Sequence, residues 1–106
     1  MAGTAAYHIQ ANLLAALAHP NRIRILEFLR AGPACNCEIA PRIDLEQSNL
    51  SRHLKILVQS GVLLSWKERL RVNFKVADER VFRVLDLAKT MAKRSIETRA
   101  ESFQSV

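Results

Sequence analysis

The sequence predicts a mainly α fold carrying one β-hairpin, and three observations lead there. Apolar residues recur at helical spacing through four separate stretches before Gly61. Beyond Gly61 the pattern switches to that of strands in VLLSWKE and RVNFKVA. Helical spacing then returns for the last stretch, giving the order helix, helix, helix, helix, strand, strand, helix.

The first helix is expected from Ala5 to Ala18, with Ile9, Leu13, Leu14 and Leu17 at helical intervals. His19-Pro20 ends it, because proline disfavours helical geometry in the residue before it yet suits the first turn of a new helix. A second helix runs from about Asn21 to Arg30 with Ile23, Leu26 and Leu29 on one face, and Ala31-Gly32-Pro33 stops it. The third is short, Asn36 to Ile43, turning Ile39 and Ile43 inward and tolerating Pro41. After a break at Asp44-Leu45-Glu46, the segment QSNLSRHLKILVQSG carries the stripe Leu50, Leu54, Leu57, with Ser48 as the expected cap and Gly61 as terminator.

In the second strand Val72, Phe74 and Val76 alternate with Asn73 and Lys75. The connection Lys67-Glu68-Arg69-Leu70-Arg71 has no glycine or asparagine for a tight primed turn, so a longer, looser loop is expected. The last helix should run from Glu79 to about Ser102, with Val81, Leu85, Ala88 and Ala92 on one stripe and Val84, Leu87 and Met91 beside it. Helices joined by a short break and followed by a hairpin form a winged helix-turn-helix. Nothing in the chain remains to cover the last apolar stripe, and a two-fold homodimer would. The expectation is thus one winged helix-turn-helix domain over 1–106, with terminal dimerisation helices at about 5–18 and 79–102.

Length and charge bound the function. The 106 residues, 49% of them apolar, suit one compact domain. The net charge of +6 favours a polyanionic partner, with nucleic acid ahead of an anionic membrane surface. No apolar run approaches the roughly 20 residues that span a bilayer. The start MAGTAAYHIQ lacks the pattern of a signal peptide, so a cytoplasmic, reducing compartment is the default. There the only two cysteines, Cys35 and Cys37, are expected as thiols or ligands rather than a disulfide.

In a helix-turn-helix the second helix enters the major groove N-terminus first. Opposite its leucine stripe lie Gln47, Ser48, Asn49 and Ser51, which can reach base edges, then Arg52, His53 and Lys55. From Gln47 to Val76 stand Arg52, Lys55, Lys67, Arg69, Arg71 and Lys75 against the single acid Glu68, so this stretch carries most of the excess positive charge. Taken singly, each is an ordinary solvated cation; together they make helix and wing basic. Arg69 and Arg71 fall at the hairpin tip, where a wing meets phosphates or the minor groove. His53, set among Arg and Leu, suits phosphate or structural work rather than catalysis. No Cys-His-Asp set or glycine-rich phosphate loop points to an enzyme. Six aromatics, mostly at core-like positions, give no stacking platform for RNA.

LAALAHPNRIRILEFLRAG, ACNCEIA and QSNLSRHLKILVQSGVLLSWKE together resemble the ArsR/SmtB family of small prokaryotic metalloregulatory repressors. The resemblance covers roughly Leu13 to Asp78. Its most specific part is the Ser-x-x-Ser-x-His-Leu block, Ser48 to Leu54, followed by Leu57 to Leu63. It implies homodimers that hold operator DNA without metal and leave it when a metal or metalloid binds. Arsenic sensors of the family carry Cys-Val-Cys-Asp-Leu-Cys at the start of the third helix. Here that segment is Cys35-Asn36-Cys37-Glu38-Ile39-Ala40, with Ala40 at the third thiol position. The N-terminal cysteines of cadmium and lead sensors are absent, with Tyr7 and His8 present instead, and no histidine follows His53 to build a site on the last helix.

Soft thiolates suit As(III), Sb(III) or cadmium, and the start of a helix favours the thiolate form. Residues two apart on a regular helix point about 200° apart. Cys35 and Cys37 therefore grip one ion only if the helix start is distorted, which couples capture to the helix that supports the recognition helix. His8 of the partner subunit, Glu38, a water or an external thiol stand as the third ligand. The expected function is a repressor needing no cofactor for DNA binding and released by As(III)/Sb(III) or another thiophilic ion. The alternative is a thiol redox-responsive or Cd/Zn-responsive regulator of the same fold.

Overall fold

The computed structural model describes residues 3–104; Met1 and Ala2, the start of the segment read for a leader, lie outside them. The elements are α1 (Thr4–Leu17), α2 (Pro20–Leu29), β1 (Ala34–Cys35), α3 (Asn36–Ile43), α4 (Gln47–Gln59), β2 (Leu63–Glu68), β3 (Arg71–Val76) and α5 (Arg80–Gln104). The helical elements and the hairpin match the expected order. The short strand β1 was not foreseen. It pairs antiparallel with β3, Ala34 opposite Phe74 and Cys35 opposite Asn73, so the sheet order is β1-β3-β2. Two residues are too few to show alternation, which is why the sequence hid it.

Four further expectations are corrected. Pro20 opens α2 as foreseen, but the inward residues are Ile25, Leu26 and Leu29, while Ile23 stays 38% exposed. Glu46 rather than Ser48 precedes α4, and the Ser48 hydroxyl donates to Glu46 Oε1 at 3.1 Å. The hairpin closes tightly, with Glu68 opposite Arg71 and only Arg69 and Leu70 between them. Arg69 supplies the positive φ, 56°, that a glycine or asparagine ordinarily would. Finally, of the expected α5 stripe only Leu85 is buried, with Val81 half-buried.

Leu50, Leu54 and Leu57 of α4 meet Ile39 and Ile43 of α3, Ile25, Leu26 and Leu29 of α2, and Leu63 and Phe74 of the sheet in one buried cluster. This cluster fixes how α4 is presented. Asp44, in the left-handed conformation at φ 51°, ends α3 and turns the chain into α4. Arg24 of α2 donates from Nη2 to the carbonyl of Ile43, holding that turn from below.

The long helix departs from the cluster. Arg30 bridges Glu27 and Asp86, each at 2.9 Å, and lies 4.8 Å from the Phe82 ring centre, so it fastens the start of α5 to α2. Beyond Leu85, Leu87, Met91 and Ile96 are each at least 65% exposed. The radius of gyration is accordingly 16.6 Å, against about 13 Å for a compact chain of this length. Among the described residues no helix is long and apolar enough to cross a membrane.

Leu54 is 2% exposed at the centre of the cluster. Leu54→Ala should cost about 2–5 kcal/mol of folding stability in urea unfolding, whereas a loss below about 1 kcal/mol would mean that α4 is held by something else.

Candidate nucleic-acid interface and cysteine site

The same leucine stripe that anchors α4 decides what it leaves outside. Gln47, Ser48, Ser51, Arg52 and Lys55 are exposed along the helix, while Asn49 is half-buried. Asn49 Oδ1 accepts from Arg52 Nη2 at 3.1 Å, so the first cation of the helix is braced by a neighbour one turn back. Ser51 and Lys55 also line a groove of about 330 Å³ between α4 and the sheet, with Ser65, Val72 and Phe74 opposite.

On the wing, Lys67, Arg69 and Arg71 are all exposed. The single acid there, Glu68, stands across from Arg71 and accepts from Trp66 Nε1 at 2.9 Å. Lys75 lies 5.9 Å from the Trp66 ring centre. Leu70, passed over in the sequence, is 94% exposed at the tip between the two arginines. Its signal was its place between Arg69 and Arg71 in the one segment without strand character.

His53 stands apart from this exposed set. Its ring lies 4.4 Å from that of His19, tilted by 51°, and its Nδ1 is buried without a hydrogen-bond partner among the described residues. His19 itself caps α2, its Nδ1 accepting from the Asn21 amide at 3.1 Å. A histidine just before a proline at a helix start could have signalled that cap. Burial, then the nearness of His19, Arg22 and Arg52, holds the His53 imidazole below its ordinary value.

The two cysteines straddle a helix boundary. Cys35 is the N-cap of α3, extended at φ −86° and ψ 161°, whereas Cys37 already lies in the helix. The change of backbone between them removes the opposed directions expected on a regular helix. Their Cα atoms are 5.2 Å apart and their sulfurs are bonded to each other. This corrects the expectation of free thiols: no cysteine is free in the described residues. Cys35 is fully buried and Cys37 is exposed. Glu38 is committed locally, its Oε1 accepting from the Cys35 amide at 3.1 Å. Pro41 has no amide to donate to the carbonyl of Cys37 four residues earlier, which leaves the first turn of α3 short of one helical bond.

Measured against a thiophilic ion, this chain offers two sulfurs rather than three. Among the described residues no group of three His, Cys, Asp or Glu side chains could hold a metal.

A basic recognition helix set on a buried stripe, with a charged wing beside it, defines a DNA-binding transcriptional regulator. Residues 19–64 match the model of the bacterial regulatory protein, arsR family. The HTH-type transcriptional regulator Rv0081 of Mycobacterium tuberculosis is 30% identical over 101 residues, 94% of this chain and 89% of that one. Its crystal structure superposes with a TM-score of 0.79 at 29% identity, covering 92% of this chain and 99% of that chain. The homodimeric winged helix-turn-helix domain Mb0332 of Mycobacterium bovis, solved by NMR, gives 0.75 at 28% identity, with 88% and 91% covered. A probable mercury resistance operon repressor of Streptomyces lividans is 29% identical over 82 residues, 77% of this chain and 66% of the relative, just under two thirds of its length. The chain belongs to the arsR family of bacterial regulatory proteins. Membership of a family of DNA-binding regulators also bears out the expectation that it is not an enzyme.

His53 gives this site a pH signature. Its imidazole is held low in the folded chain but takes up a proton near its ordinary 6.5 when unfolded. The unfolded state therefore binds the proton first, so this part of stability is present above 6.5 and lost as pH falls through it. His53→Gln should lose less stability than wild type between about pH 7.5 and about pH 5.5 in urea unfolding, and an equal loss would contradict the assignment.

Proposed function

We propose that the chain is a cytoplasmic transcriptional repressor that binds operator DNA as a homodimer and is released by chemistry at Cys35 and Cys37. The terminal helices supply the dimer. Tyr7, Leu13 and Leu14 on α1 and Leu87 and Met91 on α5 are exposed apolar residues of the kind a two-fold partner covers. In that dimer α4 lies in the major groove, led by Gln47 and Ser48, with Ser51, Arg52 and Lys55 following and the half-buried Asn49 and His53 behind them. Lys67, Arg69 and Arg71 meet the backbone or minor groove from the wing. Phosphate neutralisation by these cations supplies the sequence-independent share of affinity.

The observation that carries the sensing role is the position of the bonded pair. Cys35 is at once the partner of Asn73 in the wing and the cap of α3, the first helix of the helix-turn-helix. A change at its sulfur acts on both halves of the operator-facing surface. The S–S bond itself favours thiol oxidation as the direct signal. A second reading, capture of As(III) or Sb(III), or of cadmium or zinc, by the reduced pair, draws on two sulfurs already brought together and on a relative named for mercury resistance. The third donor then comes from solvent, an external thiol or the partner's His8.

A gel-shift titration of reduced protein with peroxide, arsenite, cadmium and zinc separates these signals. Oxidant or ion should release the operator from wild type, while Cys35→Ser and Cys37→Ser keep DNA affinity and lose the response. Release from either variant would place the sensor elsewhere. Arg52→Ala and Arg69→Ala should each weaken binding and lower the slope of log affinity against log salt by about one, and unchanged slopes would remove both residues from the interface.

A further inference from the structure

The two cysteines are chemically alike but not placed alike. Cys35 has no accessible surface, sits in strand geometry and is covered by the sheet it pairs with. Cys37, two residues further along, is exposed in the first turn of α3. A reagent from solution reaches one sulfur and not the other. The N-terminal amides of α3 point toward the end of the helix where Cys37 sits, and the helix dipole favours negative charge there. The missing bond to its carbonyl at Pro41 lets that turn yield as a bulky group is taken on.

We propose that Cys37 is the entry thiol for modification by low-molecular-mass disulfides and that Cys35 is its resolving thiol. This assignment rests on the thiol reading given above and adds the order of events to it. The Cys37 thiolate attacks one sulfur of a small disulfide R–S–S–R. A Cys37–S bond forms, the reagent's S–S bond breaks, and one RS⁻ leaves with the electron pair. Cys35 attacks the Cys37 Sγ from within the fold, its proton passing to the departing thiolate. The Cys35–Cys37 bond forms and the second RS⁻ leaves. Two protein thiols have lost two electrons, and one R–S–S–R has become two R–SH once the leaving thiolates are protonated. The bonded pair in the structure is the end point of this sequence. Burial of Cys35 makes the order one-way, because an adduct on Cys35 would have to be built inside the core.

The test uses the full chain, reduced and then freed of reductant, as wild type, Cys35→Ser and Cys37→Ser, each incubated with glutathione disulfide and followed by intact mass. Cys35→Ser should gain one glutathione and keep it. Cys37→Ser should show loss of labelling under native conditions and regain it in guanidinium. Wild type should pass to the intramolecular disulfide, with the loss of two hydrogens and no lasting adduct. Cys35→Ala, which keeps a small side chain in the core, repeats the first arm should the serine variant unfold. Native labelling of Cys37→Ser at the rate of Cys35→Ser, or an unlabelled Cys37 in both Cys35 variants, would overturn the assignment. DNA is absent from this experiment, so the labelling pattern stands even if the oxidised protein keeps its operator, an outcome that would count only against the sensing role.

Discussion

The pairing of Ala34 and Cys35 with Phe74 and Asn73 is the constraint on which the rest of the molecule depends. Without β1 the hairpin would be two strands, a form only marginally stable in water. With it, the wing becomes a three-stranded sheet whose third strand runs straight into the cap of α3. The same two residues thus close the wing, start the helix-turn-helix and include one of the chain's two cysteines. Phe74, buried opposite Ala34, ties the sheet to the cluster that holds α4. Position of the recognition helix and position of the wing are therefore not independent.

Much of this was legible in the sequence where one period ran long enough to read. The stripe Leu50, Leu54, Leu57 lies buried as its spacing required, and Gly61 ends the segment at a positive φ of 82°. The Ser48–Leu54 block carries the family resemblance in sequence alone. What stayed hidden was short or cooperative. A strand of two residues has no period, and the tight turn at Arg69 succeeds against local preference because the cross-strand register from Leu63 to Glu68 outweighs one residue's backbone cost. Ile23 and Ile25 both fit a helical face, and only packing chose between them. The sulfur bond was hidden for a related reason, since its geometry arises from a helix boundary falling between Cys35 and Cys37.

Two features outside the pattern give the site its character. His19 and His53 meet, their rings tilted, where α2 begins and α4 passes, an arrangement that links the recognition helix to the first helices through a pair of rings rather than through leucines alone. The apolar residues Leu13 and Leu14 of α1 and Leu87 and Met91 of α5, by contrast, lie exposed outside the buried cluster. In the proposed homodimer, the partner met by these helices would set the spacing of the two recognition helices.

In the proposed mechanism the coupling is mechanical: through the pairing of Cys35 with Asn73 and its place at the α3 cap, a change at the sulfurs would be felt in the wing and at the start of α4. Native-state amide hydrogen exchange of the full chain, compared between dithiol and disulfide forms, tests it directly. The account predicts altered protection at Asn73 and Phe74 and in the first turn of α4, as well as beside the cysteines. Differences that stop at Glu38, with the wing and α4 exchanging alike in both forms, would contradict it.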